Sequence, residues 1–293
     1  MASGDDRPNY RRFRDLCKTY NTHHKKEFKT MILKYPGIIY RVFDDGRSVF
    51  EIACFESHKS LLLKLLKLGI DFNQIPNYKY IMLEVILRNR LDIFEILINL
   101  KPDLKNLFLG DSIICRILMA RINYNSMIMK LIHSGFDVNA HDDDHHSPLY
   151  YAISTKSYHI VEALIKHGAN IYEKIKCCST CTHKTSFFHK SCFSNDLTLF
   201  NIFVESRIDV NFIASDGITP LMSAICSDND LHQKTIIRKL LSLGADPTLT
   251  TYVGQSSYHL ASQKEELKDI ALEMLSISWG VDNPHSSKRQ RTQ

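Results

Sequence analysis

Apolar residues recur along the chain at the spacing of short amphipathic helices, and polar turns interrupt them. In residues 160–165 they follow an i, i+1, i+4, i+5 pattern, which places them on one face of a helix. Gly168 follows that stretch, as expected of a residue that ends a helix in the left-handed conformation. Ser147 and Pro148 mark a helix start, because the hydroxyl caps free amides and proline fits the first turn. The pattern predicts many short helices that pack in pairs.

These features repeat along the chain with a period near 33 residues. Each copy ends in an Asp or Asn that leads into an extended segment, at intervals of 32 to 39 residues. Each predicted helix pair exposes an apolar face that only a neighbouring pair can cover, so the copies are expected to stack. The closing residues are Asp71, Asp103, Asp137, Asn170, Asp209 and Asp246.

The openings of the copies carry a recognisable motif. Residues 147–152 read Ser-Pro-Leu-Tyr-Tyr-Ala, and residues 219–224 read Thr-Pro-Leu-Met-Ser-Ala. The chain here resembles the ankyrin-repeat family, whose motif is T-P-L-H-x-A at a period of 33 residues. The resemblance covers about residues 40–275, with degenerate copies near 77–106 and 107–140. It implies an all-α fold, an ankyrin-repeat solenoid of stacked helix–turn–helix units joined by short β-hairpin loops.

The two ends of the chain are interpreted as capping elements. Helices are predicted at Tyr10–Lys18 and Lys25–Lys34, and the last helix at residues 265–276. The N-terminal helices lack the repeat motif, and the last helix presents a charged outer face, as is usual for terminal units. We therefore expect an N-terminal helical cap over residues 1–40, the repeat solenoid over 41–279, and a disordered basic tail over 280–293.

The net charge of +5 lies in the N-terminal segment. Residues 1–34 carry nine basic and four acidic residues, so the remainder, with 28 of each, is neutral. A neutral body gives no electrostatic reason to expect nucleic acid along the repeats. No apolar stretch approaches the roughly 18 uncharged residues of a membrane span, so no membrane association is expected.

Catalytic motifs are absent from the sequence, which holds no G-x-S-x-G, no phosphate-binding glycine loop and no H-E-x-x-H. A monomeric, non-catalytic scaffold that binds another protein is therefore the leading interpretation, with a regulatory role. The start of the chain lacks the apolar region of a secretory signal, which predicts a cytoplasmic location. Lys288, Arg289 and Arg291 in the tail resemble a nuclear import signal, which would add the nucleus.

Ankyrin arrays typically bind proteins on a concave face made of hairpin tips and first helices. By position, the resemblance implies contact residues at the tips of the first, second, fourth, sixth and last copies. Tyrosines among them fit the enrichment of aromatic residues at binding hot spots, although the fold does not name the partner. The implied contact residues are Arg47, Tyr78, Tyr80, His141, Asp143, His145, Asp216, Ile218, Tyr252 and Gln255.

Cysteines crowd into residues 177–192, where the fifth copy is lengthened. Cys178 and Cys181 have C-x2-C spacing, and His189 with Cys192 gives H-x2-C, a ligand set that suits a structural zinc ion. In the alternative interpretation, His189 takes the place of the motif histidine and bonds to backbone, while Cys192 lies in a first helix. The remaining cysteines, expected to be small buried apolar residues, are Cys17, Cys54, Cys115 and Cys226.

Two other functions compete with the plain scaffold. Substrate receptors of cullin-type ubiquitin ligases usually append a leucine-rich box after their repeats, which we do not find here, so the N-terminal helices would have to contact the adaptor. A zinc-stapled ankyrin protein with a metal-dependent role is the second alternative. In addition, Asn73, Asn139 and Asn211 resemble asparagines that ankyrin proteins offer to asparagine hydroxylases.

Overall fold

The computed structural model describes residues 10–20, 24–56, 59–71, 74–100, 112–119, 124–176, 184–227 and 230–278. The chain divides into two compact units, Met1–His145 and His146–Gln293. The described residues are mostly helical, and their named strands form one two-stranded hairpin. The predicted tail over 280–293, with Lys288, Arg289 and Arg291, lies outside the described residues.

The first unit consists of helix pairs that follow one another in the chain. Its helices α1 and α2 lie where the sequence predicts them, and a 3-10 helix, Pro36–Tyr40, follows. Helix α1 packs against α3, α3 against α5, and α4 against α6, so successive pairs cover one another. The helices are α1 (Tyr10–Lys18), α2 (Lys25–Lys34), α3 (Val49–Phe55), α4 (Lys59–Lys67), α5 (Tyr78–Leu87), α6 (Leu91–Leu100), α7 (Ile113–Met119) and α8 (Asn125–His133).

The second unit has the same construction with more regular copies. First helices pack on first helices (α11 on α13, α13 on α15), and second helices pack on second helices (α10 on α12, then α14 and α16). Strands β1 and β2 pair antiparallel, with Ile175 opposite Thr185. The elements are α9 (Pro148–Ser154), α10 (Tyr158–Lys166), β1 (Lys174–Lys176), β2 (Lys184–Ser186), α11 (Phe187–Phe193), α12 (Leu197–Glu205), α13 (Pro220–Ile225), α14 (Asp230–Ser242), α15 (Ser257–Ser262) and α16 (Lys268–Ser278).

Side-chain caps start the first helices of the regular copies, as predicted. The Ser147 hydroxyl accepts a hydrogen bond from the Tyr150 amide at 3.1 Å. At the start of α13, the Thr219 hydroxyl accepts one from the Met222 amide. At α3, Ser48 and Glu51 form a reciprocal capping box. Each such cap satisfies an amide that has no partner inside the helix, and its loss costs about 1 kcal/mol.

Aromatic side chains fill much of the core in both units. In the first unit, Phe13 and Phe28 stack with ring centroids 5.2 Å apart. In the second unit, Phe188 lies 5.8 Å from Phe200 and 5.9 Å from Phe203, and all three rings are fully buried. These clusters join helices of one copy, so each copy brings its own share of the core.

One kind of hydrogen bond recurs between consecutive copies, and the described part of the chain shows it at three places. In each case the amide of the Asp that closes a copy donates to a side chain of the preceding segment. Tyrosine and asparagine serve the same purpose, because both place an acceptor oxygen beside the chain. The pairs are Asp71 with the Tyr40 hydroxyl (2.9 Å), Asp209 with the Tyr172 hydroxyl (3.2 Å), and Asp246 with Asn211 Oδ1 (2.8 Å).

The scattered cysteines are mostly core residues. Cys17, Cys54 and Cys115 are buried, as predicted. Cys226 is exposed, which corrects the prediction for that residue. It is the C-cap of α13 and follows Ile225, the last buried residue of that helix.

Candidate functional site

The hairpin tips are turns closed by a residue at positive φ. In the first unit, Gly46 (φ 77°) donates its amide to the Phe43 carbonyl at 2.9 Å. Arg47 follows the turn, where its half-buried guanidinium forms ion pairs with Asp45 at 3.2 Å and Glu56 at 2.8 Å. A partner that approached this tip would therefore meet an arginine whose charge is already balanced.

The structure corrects the positions predicted for Tyr78 and Tyr80, because both lie in the first turn of α5 rather than in a hairpin tip. The Tyr78 ring packs edge-on against Phe50, with centroids 5.8 Å apart, and only 8% of the residue is exposed. Tyr78 is therefore a core residue, whereas Tyr80 is 56% exposed. The motif failed here because α5 has no side-chain cap; it follows Asn77, which has a φ of 55°.

His141, Asp143 and His145 lie exposed around the tip of the fourth copy, as predicted. The His145 amide donates to the Asp142 carbonyl at 2.9 Å, and the φ of His145 is 61°. Other tips place glycine in this left-handed conformation, which L-residues with a Cβ adopt at a cost. The turn thus places an exposed histidine at its left-handed position.

Two neighbouring tips of the second unit pack directly on each other. Gly217 (φ 81°) and Gly254 (φ 80°) close their turns. A Cβ at position 217 would lie 2.9 Å from the Tyr252 amide nitrogen and 3.0 Å from the Thr251 Cα, whereas one at position 254 would meet nothing within 4 Å. Glycine is therefore required at 217 by the neighbouring tip as well as by the turn.

These two tips differ in how much side chain they present. Asp216 and Ile218 are half-buried, and Gln255 is exposed. At the tip of the last copy, Tyr252 is 79% exposed and Val253 is 81% exposed. Val253 was not predicted from the sequence as a contact residue. Two adjacent large apolar side chains on one anchored turn form the most accessible apolar feature among the described tips.

A groove with a volume of about 410 Å³ opens beside the tip of the sixth copy. Strand β2 and helix α11 contribute one group of lining residues, and the turn around Asp216 with helix α13 contributes the other. We call it the α11 groove. Its lining residues are Lys184, Thr185, His189, Lys190, Phe193, Ala214, Asp216, Ile218 and Ser223.

The α11 groove contains three residues predicted from the sequence, namely Asp216 and Ile218 as contact residues and His189 as a zinc ligand. Lys190 and Phe193 are among the lining residues that sequence reasoning missed. These two are the exposed residues of α11 and stand three positions apart. Residues at that spacing share one helix face, which is the signal that could have found them. Phe193 is 52% exposed, an unusual state for a phenylalanine.

His189 forms part of the groove wall and is held on both ring nitrogens. Its Nε2 donates to the Ile218 carbonyl at 3.0 Å, and its Nδ1 accepts from the Ser186 hydroxyl at 2.8 Å. Burial lowers the pKa of His189 to about 4, although backbone hydrogen bonding to Ile218 and Phe212 and the charge of Asp216 act in the opposite direction. The imidazole is therefore neutral near pH 7, and it ties α11 to the next copy.

The predicted zinc ligands are only partly described. Cys178 and Cys181 lie outside the described residues. His189 has the backbone bond expected from the alternative interpretation, and Cys192 lies in α11, as that interpretation also expects. Burial raises the pKa of the Cys192 thiol far above its usual value. Zinc binding stays a prediction, and metal analysis of the purified protein would test it.

Of the asparagines proposed as hydroxylation sites, Asn73 lies outside the described residues. Asn139 is exposed. Asn211 is engaged on both sides of its amide, because Oδ1 accepts from Asp246 and Nδ2 donates to the Gly244 carbonyl at 3.1 Å. Hydroxylation of these residues stays a prediction.

Comparison with known proteins identifies the repeats. A family model described as "Ankyrin repeats (3 copies)" matches residues 81–175, and one described as "Ankyrin repeat" matches residues 216–252. The first match includes the second and third copies, whose motif is degenerate. The second match includes the tip of the sixth copy with Asp216, Gly217 and Ile218.

Three relatives show the same likeness over different lengths. BCL-6 corepressor-like protein 1 of Homo sapiens is 42% identical over 25% of this chain, which is 4% of that protein. The ankyrin repeat protein YahD of Escherichia coli (strain K12) is 26% identical over 47% of this chain and 84% of its own length. The ankyrin repeat protein FPV031 of fowlpox virus (strain NVSL) is 28% identical over 42% of this chain and 35% of its own length. The matches thus span small parts of the human and viral proteins.

The chain belongs to the ankyrin-repeat family. Proteins of this family serve generally as protein-interaction scaffolds and are typically non-catalytic. Among the described residues, no helix combines the length and apolar character needed to cross a membrane.

Proposed function

We propose that this protein is a non-catalytic, monomeric scaffold that binds a protein partner through its hairpin tips and first helices and so regulates that partner. The tips are suited to this role because backbone hydrogen bonds close their turns, in most of which a glycine adopts the required positive φ without strain. A fixed loop loses little conformational entropy when it binds, so more of the contact energy remains as affinity.

The exposure of Tyr252 and Val253 is the observation that carries this proposal. Both side chains are about four-fifths exposed, at 79% and 81%, on a turn that packs against the neighbouring tip. Exposed apolar side chains beside one another are typical of binding surfaces, and tyrosine is enriched among hot-spot residues. Removing both is expected to weaken a partner complex by about 2 kcal/mol or more, roughly thirtyfold in Kd.

Affinity purification with mass spectrometry tests the proposal. The bait pair is the wild-type chain and a variant with Tyr252→Ser and Val253→Ser. The matched control carries Leu243→Ser and Leu272→Ser, two exposed leucines on the second-helix side. The proposal expects a protein that is recovered with wild type and control but lost with the tip variant. Equal recovery with all three baits would exclude these tips as the binding surface.

The identity of the recovered proteins separates the scaffold from the ligase interpretation. A cullin among the proteins recovered with every bait would favour a ubiquitin-ligase receptor, with the tips as its substrate-binding surface. Size-exclusion chromatography with light scattering tests the monomeric state, for which a single species of 33.9 kDa is expected.

A further inference from the structure

The α11 groove is suited in size to side chains of an extended segment rather than to a flat protein surface. Its volume of about 410 Å³ falls in the range of pockets that enclose small ligands, about 300–1,000 Å³. It lies beside the tip of the sixth copy, against which the Tyr252 turn packs. A peptide that entered the groove could therefore continue onto the exposed Tyr252 and Val253.

The groove offers a large apolar contact. Phe193 is 52% exposed although it belongs to the same helix as the fully buried Phe188. Ile218 and Ala214 line the groove as well. An apolar side chain placed against Phe193 would remove exposed aromatic surface from water, at about 25 cal/mol per Å².

The groove also offers two lysines that no acidic side chain of the described residues pairs with. Lys184 and Lys190 are exposed, and neither ammonium group forms an ion pair within the described part of the chain. By contrast, Arg238 on the second-helix side is paired with both Asp269 and Glu273. The lining contains a single carboxylate, Asp216, against the two lysines.

We propose that the α11 groove binds an acidic peptide segment of a protein partner, in which a carboxylate pairs with Lys184 and Lys190 and an adjacent large apolar side chain packs on Phe193 and Ile218. This inference rests on the proposed function, since it names the chemistry of the partner segment. A nucleic acid fits less well, because its affinity comes from many phosphate contacts, and the chain beyond residues 1–34 has no net charge.

Selection from a random phage-displayed peptide library on the purified full-length chain tests the proposal. The enriched peptides are expected to combine Asp or Glu with a neighbouring Leu, Ile, Phe or Trp. Their affinities for variants are then measured by fluorescence anisotropy with synthetic labelled copies. Lys190→Glu and Phe193→Ser are each expected to raise Kd at least about tenfold, whereas the matched controls Lys239→Glu and Leu272→Ser are expected to leave it unchanged.

Circular dichroism establishes that each variant is folded before its affinity is compared. The inference is overturned if no peptide is enriched, if the enriched peptides are basic or neutral, or if they bind Lys190→Glu and Phe193→Ser as well as wild type. If substitution of Tyr252 and Val253 alone weakened the binding of the enriched peptides, the α11 groove would be excluded as the peptide site. The proposed function would still be supported. The proposed function is tested separately by the affinity purification, which uses neither Lys190→Glu nor Phe193→Ser.

Discussion

Phe188 offers a strong test of the packing described for the second unit. The ring is fully buried and lies 5.8 Å from Phe200 and 5.9 Å from Phe203, so Phe188→Ala leaves a cavity inside the fifth copy. Truncation of a buried phenylalanine to alanine costs about 3–5 kcal/mol, from lost transfer energy together with the cavity. Phe193→Ala makes the same chemical change in the same helix at a side chain that is 52% exposed, and is expected to change stability by no more than about 0.5 kcal/mol.

Urea unfolding followed by far-ultraviolet circular dichroism measures both variants. With a slope of about 3 kcal/mol per M, the Phe188→Ala midpoint is expected to fall by about 1–1.7 M, while the Phe193→Ala midpoint stays close to wild type. Repeat arrays can lose copies separately, so hydrogen exchange should place the loss of protection in α11 and α12. Equal midpoints for the two variants would refute the assignment of Phe188 to the core and Phe193 to the surface.

Three further predictions concern other contacts of the second unit. Gly217→Ala is expected to destabilise the protein by about 1–3 kcal/mol more than Gly254→Ala, because only position 217 lacks room for a Cβ. Asn211→Ala is expected to cost about 0.5–1.5 kcal/mol, because an amide and a carbonyl of the next copy exchange their side-chain partner for water. For His189, the folded-state pKa of about 4 lies below the reference value of 6.5. As the pH falls, the unfolded chain therefore takes up a proton on this histidine before the folded chain does. The free energy of unfolding is expected to fall by about 2–4 kcal/mol between pH 6.5 and pH 4.

Urea midpoints measured across a pH series check all three, and each has its own control. Asn211→Asp keeps the acceptor and loses the donor, so its stability should fall between wild type and Asn211→Ala. His189→Gln removes the titrating group, so the gap between it and wild type should narrow from pH 7 to pH 4. A difference in stability between wild type and His189→Gln that does not change with pH would contradict the buried, neutral His189. Equal destabilisation by Gly217→Ala and Gly254→Ala would contradict the close contact at position 217.

Much of the fold follows from local signals in the sequence. Tyr10–Lys18 and Lys25–Lys34 are helical as predicted, and the caps at Ser147 and Thr219 form because they need only residues within one turn. Tyr78 was misplaced because its copy lacks such a cap, so no local signal marks the residue at which α5 begins.

The candidate site was less predictable because it combines distant parts of the chain. Periodicity within α11 could have identified Lys190 and Phe193 as exposed, but not the turn around Asp216 that lies beside them. The hydrogen-bond partner of His189 Nε2 is the carbonyl of Ile218, 29 residues away. The spacing of the motif could not show whether that nitrogen binds a backbone carbonyl or a metal ion. Local chemistry predicts elements, whereas a groove depends on how consecutive copies stack.

The hydrogen bond from the amide of a closing Asp to a side chain of the preceding copy has a consequence for evolution. It limits which insertions and deletions a repeat array can accept. Tyr172 accepts from Asp209, and Asn211 accepts from Asp246, although one acceptor is a phenol and the other an amide. Loss of one complete copy between them would bring Tyr172 to the amide of Asp246, so the junction would be rebuilt with a new pair. Loss of part of a copy would leave an amide without its acceptor. Recombination in whole-copy steps is therefore the route that keeps junctions of this kind satisfied.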